Sequence, residues 1–218
     1  MLNTMTVKKC RWVAESSEEN MGSKTFLPEI VVFAGPNGSG KSTITELLKP
    51  NYDYVNADEI KKHLKCSDME AAKLAEEQRE TLLSEDKNFC FETVLSTDRN
   101  LKLLERAKEK GYFIKCFYIL TADPIVNIAR VKLRALSGGH DVPKEKIISR
   151  YDKALALIPE LIAVCDICHI YDNTKEPYRI FKKRKDEFFY DDGCEFWEKK
   201  SIDCLTQIPN AEYKNLNI

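Results

Sequence analysis

Short apolar runs alternate with longer amphipathic stretches between residue 29 and about residue 175. The apolar runs have the length and the β-branched and aromatic content of buried strands, and the stretches between them repeat apolar residues at helical spacing. The predicted strands cover residues 30–34, 52–57, 89–91, 112–120 and 167–171. Strands that alternate with helices are joined by right-handed crossovers into a parallel sheet. The pattern predicts an α/β fold with three layers, α/β/α, around about five parallel strands.

Local signals at the ends of the predicted helices support this pattern. Ser67 and Glu70 have the spacing of a capping box, which predicts a helix that runs to about residue 83. Asp98 is expected to cap a later helix, and Gly111 to end it. Pro159 lies inside an amphipathic stretch and is expected to kink or loosen the helix there.

The chain divides into three parts by composition. Residues 1–28 are polar and without periodicity, so we expect a flexible leader or a partner-binding arm. Residues 29–175 carry the α/β pattern and form the main domain. Residues 176–218 are charged and aromatic, and we expect a small helical or irregular extension. The basic run at residues 181–185 has the composition of a solvated helix face.

Charge and hydropathy exclude some classes of function. The 218 residues carry 34 Lys and Arg against 35 Asp and Glu, a net charge of −1, which argues against a dedicated nucleic-acid-binding protein. No apolar run approaches the roughly 20 residues that span a bilayer, and the N-terminus has no uninterrupted apolar core of the secretory type. We therefore expect a cytoplasmic protein without membrane contact, whose eight cysteines are reduced thiols.

The first predicted strand leads into a phosphate-binding loop. Gly35 to Ser42 fits the pattern G-x-x-x-x-G-K-[ST] at every fixed position. Gly35, Gly38 and Gly40 allow successive backbone N–H groups to face one anion, at the positive end of the next helix. Lys41 can reach the β- and γ-phosphates, and the Ser42 hydroxyl can bind Mg²⁺. The predicted ATP-binding residues of the loop are Gly35, Pro36, Asn37, Gly38, Ser39, Gly40, Lys41, Ser42 and Thr43.

Two acidic residues follow the second and third predicted strands. Asp58 and Glu92 come just beyond strand ends, where doubly wound sheets bind ligands. A kinase needs a group that accepts the proton of the substrate hydroxyl, and a carboxylate facing the phosphate loop can do so. The alternative for Asp58 is a structural one, in which its side chain caps the helix at residues 59–64.

A second class of ATP-binding protein is also considered. Leu136-Ser-Gly-Gly-His140 resembles the LSGGQ signature of ABC-type ATPase modules, which have no chemical substrate besides ATP. The last position is His rather than Gln, however, and Ile167 stands where a catalytic Glu would follow Asp166. The acidic residues at the two strand ends favour a kinase over this alternative.

The chain resembles the zeta-toxin family of P-loop kinases over about residues 29–175. The matching segments are Gly35-Pro-Asn-Gly-Ser-Gly-Lys-Ser-Thr43, Val55-Asn-Ala-Asp-Glu59, Phe91-Glu-Thr-Val-Leu-Ser96, Arg130-Val-Lys-Leu-Arg134, Gly138-Gly-His-Asp-Val-Pro143, Ser149-Arg-Tyr151 and Tyr171-Asp-Asn-Thr174. The resemblance implies a P-loop NTPase fold and ATP-dependent phosphorylation of a hydroxyl, in characterised members on UDP-N-acetylglucosamine. It also implies a possible antitoxin partner.

The resemblance assigns roles to individual residues. It implies that Asp58 is the general base, that Lys41 clamps the phosphates and that Ser42 binds Mg²⁺. Arg130 and Arg134 match the arginines that cover the γ-phosphate, a role that suits a planar and permanently charged guanidinium. Without the other motifs, these two arginines would indicate only an exposed helix face.

The remaining candidates concern substrate and adenine. The resemblance implies that Glu92 and Thr93 contact the substrate. His140 stands close to where larger members carry a lid arginine, so it is expected either to contact phosphate or to shape the lid turn. Asn173 follows the last strand, where kinases of this architecture often bind adenine, although a strand-exit turn explains an Asn at this position nearly as well.

Overall fold

One mixed sheet forms the centre of the protein. The computed structural model describes residues 27–139 and 141–217, so most of the predicted leader lies outside the described residues. Eight strands pair in the order β2-β3-β1-β4-β5-β6-β7-β8. The strands are β1 (Glu29–Ala34), β2 (Asp53–Val55), β3 (Phe89–Thr93), β4 (Phe113–Leu120), β5 (Ile167–Asp172), β6 (Tyr178–Arg184), β7 (Glu187–Tyr190) and β8 (Glu212–Tyr213).

The first five strands are the predicted parallel ones. β1 lies between β3 and β4, β2 pairs with β3, β5 pairs with β4, and all four pairings are parallel. Helices cover both faces, which confirms the α/β/α expectation. The helices are α1 (Lys41–Leu48), α2 (Ala57–Leu64), α3 (Asp68–Ser84), α4 (Arg99–Glu109), α5 (Pro124–Leu136), α6 (Lys144–Ala156), α7 (Ile158–Val164) and α8 (Lys199–Thr206).

Strand β1 shows how the core is divided between the two faces of the sheet. Its alternate residues Ile30, Val32 and Ala34 face the large core that includes α3, α4, α7 and α8, while Val31 and Phe33 face a smaller cluster with Ile44 of α1. Side chains alternate across a strand, so a strand covered on both faces is apolar throughout. This explains the uninterrupted apolar run before the phosphate loop.

The helix-end predictions have mixed outcomes. Ser67 and Glu70 form the capping box in both directions. A break at Leu157 separates α6 from α7, with Pro159 in the first turn of α7, as its missing N–H requires. Asp98 stands at the N-cap of α4 but its side chain makes no cap hydrogen bond, and pairs instead with Lys102 at 2.6 Å.

Residues 176–217 contain one helix, α8, as the expected helical or irregular extension allows, but they also form three strands that we did not expect. β6 runs antiparallel to β5, β7 runs antiparallel to β6, and β8 is parallel to β7, so the segment extends the main sheet. The basic run at residues 181–185 lies largely in β6 and is not a helix face. Only five residues link β5 to β6, too few for the crossover that a parallel strand needs, and a hairpin is the result.

Two buried carboxylates hold this C-terminal segment: Asp172 binds it to the domain, and Asp191 binds parts of the segment to one another. Asp172, at the end of β5, accepts a hydrogen bond from Trp197 Nε1 at 3.1 Å. Asp191 accepts bonds from the Tyr178 hydroxyl (3.0 Å), the Gly193 and Leu216 N–H groups (3.0 and 2.8 Å) and the Asn217 amide (3.1 Å). Burial alone would raise the pKa of Asp191, but these four donors hold it below its ordinary value.

The described residues offer no candidate for a membrane span, because none of their helices combines the necessary length and apolar character. The seven cysteines among them are all free thiols.

Candidate active site

The phosphate loop lies between β1 and α1 and is held in very close contact with its neighbours. Gly35 has φ +136°, and a Cβ there would lie 1.9 Å from the Ile119 carbonyl oxygen. Gly38 has φ +78°, and a Cβ there would lie 2.5 Å from the Asn127 carbonyl oxygen. A side chain cannot be accommodated at either position, and both backbone conformations disfavour one. The motif glycines are therefore required by packing as well as by the curl of the loop.

Two asparagine side chains support the loop from outside. The Asn127 amide, fully buried on α5, donates to the Asn37 carbonyl at 2.7 Å. The Asn173 amide, just after β5, donates to the Ser39 carbonyl at 2.8 Å. Asn173, a predicted adenine contact, thus supports the backbone of the phosphate loop. Sequence reasoning missed Asn127, and its only signal was a polar residue on the buried face of an amphipathic helix.

Lys41 is buried within the loop, and its Nζ donates to the Pro36 carbonyl at 3.0 Å. Burial lowers the pKa of Lys41 to about 8, the Glu92 and Asp58 carboxylates oppose that shift, and Arg134 adds to it. Two predicted acidic residues and one predicted arginine are therefore close enough to act on the lysine charge. The structure brings these four predicted residues together at the loop.

Glu92, at the carboxyl end of β3, contacts the phosphate loop directly. Its Oε2 accepts a hydrogen bond from the Ser42 hydroxyl at 3.1 Å, and its Oε1 accepts one from the Tyr54 hydroxyl at 2.9 Å. Neutral hydroxyl oxygen and carboxylate oxygen are both ligands that suit Mg²⁺. The Ser42 and Glu92 oxygens thus fit the metal that phosphoryl transfer uses.

Thr93 is held by its own loop. Its buried hydroxyl accepts hydrogen bonds from the Leu95 N–H at 2.9 Å and the Asn100 amide at 2.8 Å. Its carbonyl accepts from the Gly35 N–H at 3.2 Å. Thr93 therefore joins the β3–α4 loop to the phosphate loop.

Asp58 lies in the first turn of α2 and is exposed. The N-cap of this helix is Asn56, whose Oδ1 accepts the Asp58 N–H at 2.8 Å. The structural alternative for Asp58 is therefore wrong, because Asn56 carries out the capping. The Asp58 carboxylate therefore takes no part in capping α2, and its negative charge acts to raise the pKa of Lys41.

Arginines of α5 and α6 approach the same loop. Arg130 Nη2 donates to the Thr174 carbonyl at 3.1 Å, while its buried Nη1 has no hydrogen-bond partner within the described part of the chain. Arg134 is exposed one turn later. Arg150 Nη1 lies 3.5 Å from Asn37 Oδ1 of the loop. The sequence analysis included Arg150 only as part of a matching segment and gave it no role, although that segment was the signal for it. His140 lies outside the described residues.

A phosphate loop at the carboxyl edge of a parallel sheet, with carboxylates from two neighbouring strand ends, Arg134 acting on the charge of its lysine and Arg150 beside its Asn37, defines a P-loop kinase architecture. The chain belongs to the zeta toxin family, since its residues 48–190, about two thirds of its length, match that family. This match begins just after the phosphate loop, so it is independent of the most widespread motif in the chain.

The chain is also similar to a curated protein and, in fold, to solved structures. An uncharacterized protein of Haemophilus influenzae is 28% identical over 127 residues, which cover 56% of this chain and 91% of that protein. A structure from the PezAT toxin–antitoxin system of Streptococcus pneumoniae is 20% identical with a TM-score of 0.50, and covers 75% of each chain. The AvrRxo1-ORF1:-ORF2 structure with ATP is 15% identical with a TM-score of 0.62, and covers 85% of this chain and 64% of that one.

Proposed function

We propose that the protein is an ATP-dependent kinase that transfers the γ-phosphate to a hydroxyl of a small molecule, by family resemblance a sugar nucleotide such as UDP-N-acetylglucosamine. The observation that carries this proposal is the hydrogen bond from the Ser42 hydroxyl to Glu92 Oε2 at 3.1 Å, which places an acidic strand end on the phosphate loop beside the buried Lys41. A base, a phosphate clamp and a cation at one loop are the groups that phosphoryl transfer requires.

Each residue has a distinct part in the proposed reaction. Asp58 takes the proton as the substrate oxygen forms its bond to the γ-phosphorus, and the bond from that phosphorus to the β,γ-bridging oxygen breaks to release ADP. Lys41 and Arg134 balance the charge on the transferred group, with Arg130 and Arg150 beside them. Ser42 and Glu92 would hold Mg²⁺, which when bound neutralises the charge of the β- and γ-phosphate oxygens.

The protein's setting follows from the same reasoning. ATP as phosphate donor and the free thiols of the described cysteines favour the cytoplasm. Because the Streptococcus pneumoniae relative comes from a toxin–antitoxin system, we include an antitoxin-like protein among the proposed partners.

The direct test is an ATP and Mg²⁺ assay against a panel of sugar nucleotides and other hydroxylic metabolites, with phosphorylated product identified by mass spectrometry. We expect acceptor-dependent ADP formation, and loss of both ADP and product in Lys41→Ala. Transfer at the wild-type rate in Lys41→Ala would reject the proposal. ATP-induced dimers without any stimulation by an acceptor would favour the ABC-type alternative.

A further inference from the structure

One tyrosine connects the two halves of the site. Tyr54 is in β2, and its hydroxyl donates to Glu92 Oε1 at 2.9 Å and accepts from Asn56 Nδ2 at 2.6 Å. Glu92 in turn accepts from the Ser42 hydroxyl at 3.1 Å, and Asn56 caps the helix that carries Asp58. A continuous path of hydrogen bonds therefore runs from the phosphate loop to the start of α2.

The direction of each bond in this path is determined by chemistry. The backbone N–H of Asp58 needs an acceptor, so the Asn56 side chain must turn its oxygen toward the helix and its NH₂ toward Tyr54. The single phenolic proton is then left for the Glu92 carboxylate. Burial raises the pKa of Tyr54, the Asn56 amide opposes that rise, and Glu92 adds to it. The phenol therefore remains a donor at neutral pH.

We propose that Tyr54 is a positioning residue, which orients the Glu92 carboxylate on Ser42 and ties it to the Asn56 cap beneath Asp58. This inference rests on the proposed kinase function. Its physical basis is that a carboxylate anchored through one oxygen retains rotation about its last torsion, whereas one anchored through both oxygens is fixed. Tyr54 thereby sets the distance between the metal-binding side and the base side of the site.

Tyr54→Phe is a clean probe of this role because it removes only the hydroxyl. The ring still packs against the cluster under α1 and still lies 4.8 Å from Lys49 Nζ. We expect kcat to fall about 10- to 100-fold, as for loss of a hydrogen bond to a charged group, with a much smaller change in KM for ATP.

Tyr52→Phe is the matched control. Tyr52 lies two residues earlier, packs against the same cluster, and donates to Glu29 at 2.6 Å at the opposite end of the sheet. Each variant loses one tyrosine-to-carboxylate bond, so melting temperatures should fall by similar amounts. Only Tyr54→Phe should lose kcat. Asn56→Ser, which retains a cap oxygen but loses the amide donor, should show a smaller loss of the same kind.

A double-mutant cycle shows whether Tyr54 acts through Glu92. If it does, Tyr54→Phe added to Glu92→Gln should lower kcat little further, because the hydroxyl no longer has a carboxylate to orient. The inference would be overturned if the two single-variant losses in kcat multiply in the double variant, or if Tyr54→Phe has the wild-type kcat. Lys41→Ala is assayed alongside. An inactive Lys41→Ala beside a fully active Tyr54→Phe rejects only the role of Tyr54, whereas a fully active Lys41→Ala rejects the proposed function and the inference with it.

Discussion

Replacing Asp58 by Asn tests the proposed catalytic base. The substitution preserves size and removes the ability to accept a proton. Because general-base assistance contributes about 10²- to 10⁴-fold in rate, we expect kcat to fall by roughly that factor. The structure predicts little other damage, since the cap of α2 is the side chain of Asn56 and Asp58 itself is exposed.

The expected cost in stability is small and can be estimated. Asp58→Asn removes one negative charge from the first turn of a helix, which is worth about 0.3–1 kcal/mol. For a chain of this size, that corresponds to a fall in melting temperature of at most about 2–4 °C. Glu59 is the matched control, because it is the other acidic residue of the same turn. Glu59→Gln should show a similar melting temperature and a nearly unchanged kcat.

The assay is single-turnover transfer from ATP, measured at pH 7 together with ATP affinity and the melting temperature. The Asp58 carboxylate raises the pKa of Lys41, so its loss should lower that pKa. Measurement below pH 7 therefore keeps Lys41 charged in both the wild-type protein and Asp58→Asn. Full transfer activity in Asp58→Asn would refute the base assignment. Equal losses in Asp58→Asn and Glu59→Gln would show that acidic charge near the helix start matters, rather than proton transfer at one position.

Three further predictions concern charge, packing and the C-terminal segment. Burial in the folded protein lowers the pKa of Lys41 to about 8, so Lys41→Met should stabilise the nucleotide-free protein at pH 7 by on the order of 1–3 kcal/mol. This stabilisation should fade as the pH rises from 8 to about 10.5, where the lysine is neutral in both states. A constant difference in thermal melts across that pH range would contradict the prediction. Gly38→Ala should abolish ATP binding in calorimetry, because its Cβ would meet backbone at 2.5 Å, while Gly111→Ala, also at positive φ but with nothing within 4 Å, should bind normally. Asp191→Asn should lower the free energy of unfolding by about 2–4 kcal/mol at neutral pH, more than the exposed Asp192→Asn. This difference should close as acid protonates the Asp191 carboxylate, and equal denaturant midpoints would count against its role in holding the parts of the C-terminal segment together.

The sequence by itself determined the features that depend on local patterns. The five parallel strands followed from apolar runs of strand length. The phosphate loop followed from a motif whose glycines are needed because a side chain there would collide with neighbouring backbone. The capping box at Ser67 and the helix break just before Pro159 were likewise set by residues a few positions apart. Asp58 and Glu92 were predicted near the loop because parallel strands end at one edge of the sheet.

Only the tertiary structure decided which distant side chains meet. Asn127 and Arg150 contact Asn37 from 90 and 113 residues away, and no local pattern specifies such partners. Three strands also join the sheet after residue 175, because β5 presents an open edge to β6, and β7 and β8 then add in turn. Side-chain patterns determine which segments can form strands or helices, but the packing of the whole chain determines which edges and polar groups they find.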